Sequence, residues 1–272
     1  DSGVNHKAVR RSLTTICNQR HNFPFTLNNL TKKQRHITLT HLIVNDKYKF
    51  LYCYTPKVAC SNWKKVIKVL YGEVDSADKV HQLDHVHGFK YLSDYNRTEI
   101  QERLETYYKF MFVRNPVERA LSVYRNKFNE IEAFHKLYGS KISSMYHQPE
   151  QYRGKFPGDD VTFVDFLKYI STGIDETDMN EHWMPMSTLC QPCAISYDFI
   201  GTYNNIEEEA EIVLRAINAP KNLHFPHRQP WYKPTSHNYI QHYFSLIQPS
   251  LFRQFVEKYI TDFKMFSYPL PS

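Results

Sequence analysis

Twice in this chain an apolar run of strand length stops at a short loop and restarts as an amphipathic helix. The first is LYCYTPKVACSNWKKVIKV, Leu51 to Val69, and the second runs from Tyr108 to Phe128. Tyr108 to Val113 is almost continuously apolar, as a parallel strand covered on both faces requires. Pro116 then falls in a first helical turn, where its missing N–H is no loss. Behind each loop the apolar residues repeat with helical spacing: Trp63, Val66, Ile67 and Leu70, then Val117, Ala120, Leu121, Tyr124 and Phe128. Two strand–loop–helix units roughly 60 residues apart are the grammar of an α/β fold, with a central, mainly parallel sheet flanked by helices.

The remaining pattern predicts strands over His41–Val44 and Lys49–Tyr54, joined by the turn Asn45-Asp46-Lys47, and over Tyr197–Tyr203. Helices are expected over Glu99–Tyr107, Val161–Ile170 and Ile206–Ile217, the last opening with three glutamates at its positive end. One or two further helices close the chain between Tyr239 and Phe263. Residues 1–35 are polar and poorly periodic and read as an extended arm, 129–160 as an insertion, and 36–272 as a single domain.

With 272 residues the chain can bury one full core. A formal charge of +6 suits an acidic polymer or an anionic surface, but the basic residues are scattered, and neither an RNP signature nor zinc-finger spacing points to nucleic acid. No apolar run has the roughly 18 residues that span a bilayer, and the first residues lack a signal-peptide core. Sequons at Asn29 and Asn96 favour a secretory lumen. Of five cysteines, Cys53 lies inside a strand and reads as a small buried hydrophobe. Cys190 and Cys193 have CxxC spacing without a second pair to complete a zinc site; they suit a structural disulfide, within the motif or with Cys17.

The loop from Thr55 to Lys65 has the chemistry of an anion site. A helix N-terminus leaves backbone N–H groups unpaired and aimed at one spot. Lys57 adds a full charge, Thr55 and Ser61 add hydroxyls, and Lys64 and Lys65 add field. Glycine is absent, and so is the Lys-Ser/Thr pair that holds magnesium, which disfavours a kinase or nucleoside triphosphatase. In the second unit Arg114 stands at a strand end, with Arg119 and Ser122 on the helix behind it. A guanidinium grips phosphate through parallel N–H bonds. Two anion sites at the ends of two strands imply one ligand with two separated phosphates.

Tyr54-Thr55-Pro56-Lys57-Val58-Ala59-Cys60-Ser61-Asn62-Trp63-Lys64 resembles the 5′-phosphosulfate loop of the Golgi carbohydrate sulfotransferases of the HNK-1 and chondroitin 4-O type. Arg114-Asn115-Pro116-Val117-Glu118-Arg119-Ala120-Leu121-Ser122-Val123-Tyr124-Arg125-Asn126-Lys127-Phe128 resembles their 3′-phosphate motif. Later segments, Met179 to Pro185, Leu189 to Ala194, Arg228 to Pro234 and Tyr268 to Pro271, resemble the branch that acts on dermatan. The resemblance implies a P-loop-like sulfotransferase fold and the donor 3′-phosphoadenosine 5′-phosphosulfate, with 3′-phosphoadenosine 5′-phosphate as product and no metal. It implies transfer to the 4-hydroxyl of N-acetylgalactosamine in dermatan or chondroitin sulfate chains, and a type II Golgi membrane protein whose anchor and stem precede the arm. Lys57 would bridge the leaving phosphate and the sulfuryl group, Thr55 to Trp63 would cradle the 5′ end, and Arg114 and Ser122 would bind the 3′-phosphate.

In Leu83-Asp84-His85-Val86-His87, His85 takes the place of the family's histidine base, ahead of His87, with Asp84 available to orient it. His182 and Trp183 are candidates for the acceptor groove, Arg125 and Lys127 for the polymer's charge, and Lys233, Thr235 and Ser236 for a loop closing over the nucleotide or gripping uronates. Two other readings remain: a relative acting on chondroitin or another glycan, and a non-catalytic glycosaminoglycan-binding module.

Overall fold

A computed structural model of the chain describes residues 5–19, 26–128, 131–148, 154, 158–227 and 237–270. In chain order the elements are α1 (His6–Asn18), α2 (Lys32–His41), β1 (Leu42–Asn45), β2 (Phe50–Cys53), α3 (Cys60–Tyr71), α4 (Arg97–Thr106), β3 (Tyr108–Val113) and α5 (Pro116–Lys127). Then come α6 (Glu132–Phe134), a π-helical turn (His135–Gly139), α7 (Ser140–Tyr146), α8 (Phe163–Ser171), α9 (Met186–Cys190) and β4 (Phe199–Thr202). The chain closes with α10 (Ile206–Ala216), α11 (His237–Ser245), α12 (Pro249–Lys258) and α13 (Ile260–Met265).

The sheet has the order β1-β2-β3-β4. β1 and β2 form the expected hairpin, with Leu42 opposite Cys53 and Asn45 opposite Phe50. β2, β3 and β4 run parallel, Tyr52 beside Phe110 and Met111 beside Ile200. Because both faces are covered, nearly every strand residue is buried, which is why β3 shows no alternation in sequence. Tyr52, Trp63, Phe110 and Phe112 stack into one aromatic cluster between the sheet and α3. Gly201 on β4 leaves the room this cluster needs, since a Cβ there would stand 2.2 Å from the Phe112 ring.

Three expectations need correction. The N-terminal stretch is not extended where it is described: α1 packs on β4 and α13 with Val9 fully buried. Its apolar positions, Val9, Leu13, Ile16 and Cys17, lie among arginines and threonines that hide the stripe. Three helices rather than one or two close the chain, and among its described residues the insertion carries α6, the π-helical turn and α7. Cys53 is not a free hydrophobe: it pairs with Cys190, and Cys17 pairs with Cys193. Each half of the CxxC thus reaches a different element, α9 being tied to β2 and the following turn to α1. Cys60 is the free cysteine.

The Cys53–Cys190 bridge closes a chain separation of 137 residues. Replacing both cysteines by serine is expected to lower stability by about 2–5 kcal/mol, read as an earlier midpoint in urea unfolding.

Candidate active site

The carboxyl ends of β2 and β3 lie side by side, so the loops leaving them meet. After β2 the chain makes a turn closed by the Val58 N–H on the Thr55 carbonyl at 3.3 Å. Lys57 and Ala59 both take left-handed backbone conformations, φ 68° and 55°. The curvature that glycine supplies in other phosphate loops is here imposed on residues with a Cβ. Ala59 is the N-cap of α3 and provides no capping side chain, so the N–H groups of Cys60, Ser61 and Asn62 remain without intrahelical acceptors. An uncapped twelve-residue helix beside a lysine fits an anionic group.

Two arginines of the second unit hold this loop from beneath. Arg114 donates from Nη1 to the Lys57 carbonyl at 3.1 Å and from Nε to Glu118 at 3.3 Å, with its guanidinium 4.1 Å from the centre of the Tyr203 ring. It is buried, and the fork expected to grip a phosphate is half occupied; Nη2 has no partner among the described residues. Arg119 is committed entirely to the fold: Nε donates to the Pro56 carbonyl at 3.1 Å, Nη1 to Met184 at 2.7 Å and Nη2 to Glu181 at 3.0 Å. Ser122 is buried on the same helix.

Within the loop the side chains divide sharply. Thr55 turns its hydroxyl towards the Cys190 sulfur at 3.8 Å, so it supports the loop rather than lining its outer face. Pro56 and Val58 are buried, Asn62 donates to the Pro226 carbonyl at 3.3 Å, and Trp63 is a core residue. Lys57, Cys60 and Ser61 remain partly accessible. Lys57 Nζ is positioned by Asn126 Oδ1 at 3.2 Å. Lys127, next along α5, has its pKa lowered by burial and by the charge of Lys57, so the two ammonium groups share one field.

The histidine loop is fastened to α3. Buried Lys64 donates from Nζ to the His85 carbonyl at 2.6 Å and sits 3.9 Å from the centre of the Tyr54 ring. The His85 side chain is exposed, and partial burial together with the charges of Lys64 and Lys127 lowers its pKa. Asp84 does not orient it. The Asp84 carboxylate accepts the backbone N–H groups of Val86 and His87 and pairs with His87 Nδ1 at 2.9 Å, and these bonds lower its pKa. His87 is thereby turned to solvent.

Glu181 was invisible in the sequence as a site residue, yet it stands at the centre of the cluster. Its Oε2 accepts from His41 Nε2 and from the Tyr54 hydroxyl, both at 3.1 Å, while His41 stacks on Tyr54 at 4.7 Å. Burial would raise the Glu181 pKa, but His41, His182 and Tyr54 override it and hold the carboxyl at about 2. His182 has a pKa lowered to about 3 by burial first and by Lys127 next. Trp183 is not a groove residue: it is 2% exposed, packed against Tyr138, Phe166 and Tyr169, with its carbonyl bonded by the Tyr259 hydroxyl. Arg125 lies 4.4 Å from the centre of the Tyr239 ring. Lys233, Thr235 and Ser236 lie outside the described residues. Asn29 and Asn96 are both exposed. Among the described residues no group of His, Cys, Asp or Glu is arranged to hold a metal ion, and no helix is long and apolar enough to cross a membrane.

A half-buried, neutral histidine makes stability depend on pH. The unfolded chain takes up a proton near the ordinary histidine pKa, whereas folded His182 resists protonation down to about 3. Its contribution is therefore complete above about pH 6.5 and is lost on acidification. Between pH 7 and pH 4 the loss should amount to roughly 2–3 kcal/mol. His182→Gln should flatten that part of the stability–pH curve relative to the wild type in parallel urea titrations.

A family model described as the sulfotransferase family matches residues 40–269. Carbohydrate sulfotransferase 14 of Danio rerio is 44% identical over 272 residues, all of this chain and 74% of the relative. The Homo sapiens protein of the same name is 45% identical over 273 residues, all of this chain and 71% of the relative. Carbohydrate sulfotransferase 11 of Rattus norvegicus is 35% identical over 286 residues, covering this chain and 78% of the relative. No solved structure matches the chain.

Proposed function

The chain belongs to the sulfotransferase family, and we propose that it sulfates the 4-hydroxyl of N-acetylgalactosamine in dermatan sulfate, using 3′-phosphoadenosine 5′-phosphosulfate as donor. The observation that carries this reading is the 3.1 Å bond from Arg114 to the Lys57 carbonyl, which makes the two phosphate motifs one structure. The relatives named carbohydrate sulfotransferase 14 support the choice of a sugar acceptor. Two disulfides agree with work in an oxidising compartment, here the Golgi lumen, with Asn29 and Asn96 open to glycosylation. Residues 36–272 act as the catalytic domain, to which α1 is fastened by the Cys17–Cys193 bridge.

When bound, the donor supplies an activated sulfuryl group for in-line displacement. The chain's part is positioning and charge. The N–H groups of Cys60 to Asn62, with Ser61, hold the 5′ end. Lys57, oriented by Asn126, neutralises charge on the leaving oxygen as the bond to sulfur breaks. Arg114 Nη2 and the Ser122 hydroxyl take the 3′-phosphate. His85, accessible to a sugar hydroxyl and neutral above its lowered pKa, removes the proton as the hydroxyl attacks. Lys127 and Arg125 meet the acidic polymer.

Sulfate transfer to desulfated dermatan tests the assignment. Lys57→Ala should cost about 10²–10³ in kcat, and His85→Ala about 10²–10⁴. Wild-type kcat/KM should fall on the acid side with a midpoint below the ordinary histidine value, and His85→Ala should lose that limb. Full activity in His85→Ala would remove it as the base. Failure of 3′-phosphoadenosine 5′-phosphate to bind in calorimetry would favour a non-catalytic module. Acceptors rich in iduronate, compared with those rich in glucuronate, separate dermatan from chondroitin.

A further inference from the structure

Next to Glu181 in the chain stands a second histidine whose protonation and tautomer are fixed by its neighbours. Asn180 Oδ1 accepts the backbone N–H of His182 at 3.0 Å and bonds the ring Nδ1 at 2.8 Å. The other end of the same amide donates from Nδ2 to the Tyr138 hydroxyl at 3.0 Å. The amide is thus locked with its oxygen towards His182, and an oxygen there requires a hydrogen on Nδ1. The lone pair of the ring is therefore on Nε2. That atom has no hydrogen-bond partner among the described residues.

The surroundings keep it so. Phe134 meets the imidazole edge to face at 5.3 Å, and Lys127 lies 4.5 Å from the centre of the Phe134 ring. The π-helical turn His135–Gly139 carries Tyr138 to Asn180 and against Trp183 at 4.8 Å. Lys127, Arg119 and Lys57 press their charges against protonation, and Glu181 alone favours it. A half-buried imidazole with one unpaired lone pair, set among cations, has the form of a hydrogen-bond acceptor and not of a proton carrier.

We propose that His182 Nε2 accepts a hydrogen bond from the acceptor sugar, through a hydroxyl or acetamido N–H beside the reacting carbon, and so sets which sugar and which pose are read. The lone pair takes O–H and N–H donors and repels carboxylate and sulfate oxygens. His182 is then a specificity residue, while His85 moves the proton. This inference rests on the reading of the site as a sulfuryl donor–acceptor site.

Steady-state kinetics with desulfated dermatan oligosaccharides, together with nucleotide calorimetry, test it. His182→Phe keeps a ring and removes the lone pair; the acceptor KM should rise about tenfold, with kcat changed less and the affinity for 3′-phosphoadenosine 5′-phosphate within about twofold of wild type. His182→Gln, which restores an acceptor oxygen, should recover most of that loss. Asn180→Asp places a carboxylate on Nδ1, so the ring should gain a proton on Nε2 as pH falls, and the acceptor KM should become pH-dependent, rising towards pH 5. Acceptors carrying an acetoxy group in place of the acetamido group, and so lacking that N–H, identify the donor: if the acetamido N–H is read, His182→Phe should cost them nothing further, and if a hydroxyl is read, the full penalty should remain. An unchanged acceptor KM in His182→Phe, with wild-type turnover and nucleotide binding intact, overturns this proposal alone, as does a fall in kcat that takes the acid limb with it. A wild type that binds the nucleotide but sulfates no glycan overturns the donor–acceptor reading and this proposal with it. If His182→Phe does not fold, the His182→Gln and Asn180→Asp pair decides: a pH-independent KM in Asn180→Asp overturns it.

Discussion

The buried guanidinium of Arg119 is the interaction on which the site depends. A cation taken out of water is tolerable only where its N–H groups are matched. Here the partners are the carbonyls of Pro56, Glu181 and Met184, drawn from the phosphate loop and the segment before α9. One side chain of α5 thus fixes the height of the loop and the place of Glu181 and His182 together. The bonds to Pro56 and, through Arg114, to Lys57 also hold the strained turn between them. Left-handed conformations at Lys57 and Ala59 cost on the order of 1–2 kcal/mol each. Glycine would relieve that strain, but it would also enlarge the freedom of the unfolded loop and leave the Lys57 side chain without a place in the turn.

From this frame the other walls follow by single contacts. Lys64 ties the histidine loop to the helix whose N-terminus faces the anion, so a shift of α3 would move His85 with it. The Cys53–Cys190 bridge ties α9 to β2 directly beneath Thr55, whose hydroxyl leans on its sulfur. Thr55, Pro56, Val58 and Trp63 belong to the loop's foundation, and the exposed work is left to Lys57, Cys60 and Ser61. Motif residues are therefore of two kinds, and a linear motif does not separate them.

Legibility in the sequence followed the strength of the local signal. β3 and α5 were read with their bounds nearly intact, because an uninterrupted apolar run and a proline-led stripe each have one solution. The parallel sheet followed from repeating that unit. α1 is not legible in the sequence because its burial depends on β4 and α13, far along the chain, and its own stripe is short. The pairing of Cys53 and Cys190 was hidden for the same reason: a cysteine inside a strand looks like a small hydrophobe until the element above it is known. Trp183 was as consistent with a sugar platform as with a core, and only its packing against Tyr138, Phe166 and Tyr169 decides. Glu181 carried no periodic signal; its one visible mark was its place beside His182. Asp84 illustrates a different limit: its sequence neighbour was His85, but the turn gives it to His87.

The balance of charge explains why two histidines in one cluster need not do the same work. Lys57, Lys64 and Lys127 make the site cationic; of the acids beside them, Glu181 is engaged by His41 and Tyr54, and Asp84 by His87. Burial first and these cations next push both histidines towards the neutral form, His182 further, to about 3. A nucleotide with phosphates at both ends would offset much of that field. The exposed His85 imidazole, relieved of part of the field that lowers its pKa, then takes a proton more readily during turnover, whereas His182, starting near 3, stays neutral. Burial, together with the cations that bind the donor, thereby sorts the histidines, one to move a proton and one to hold a sugar.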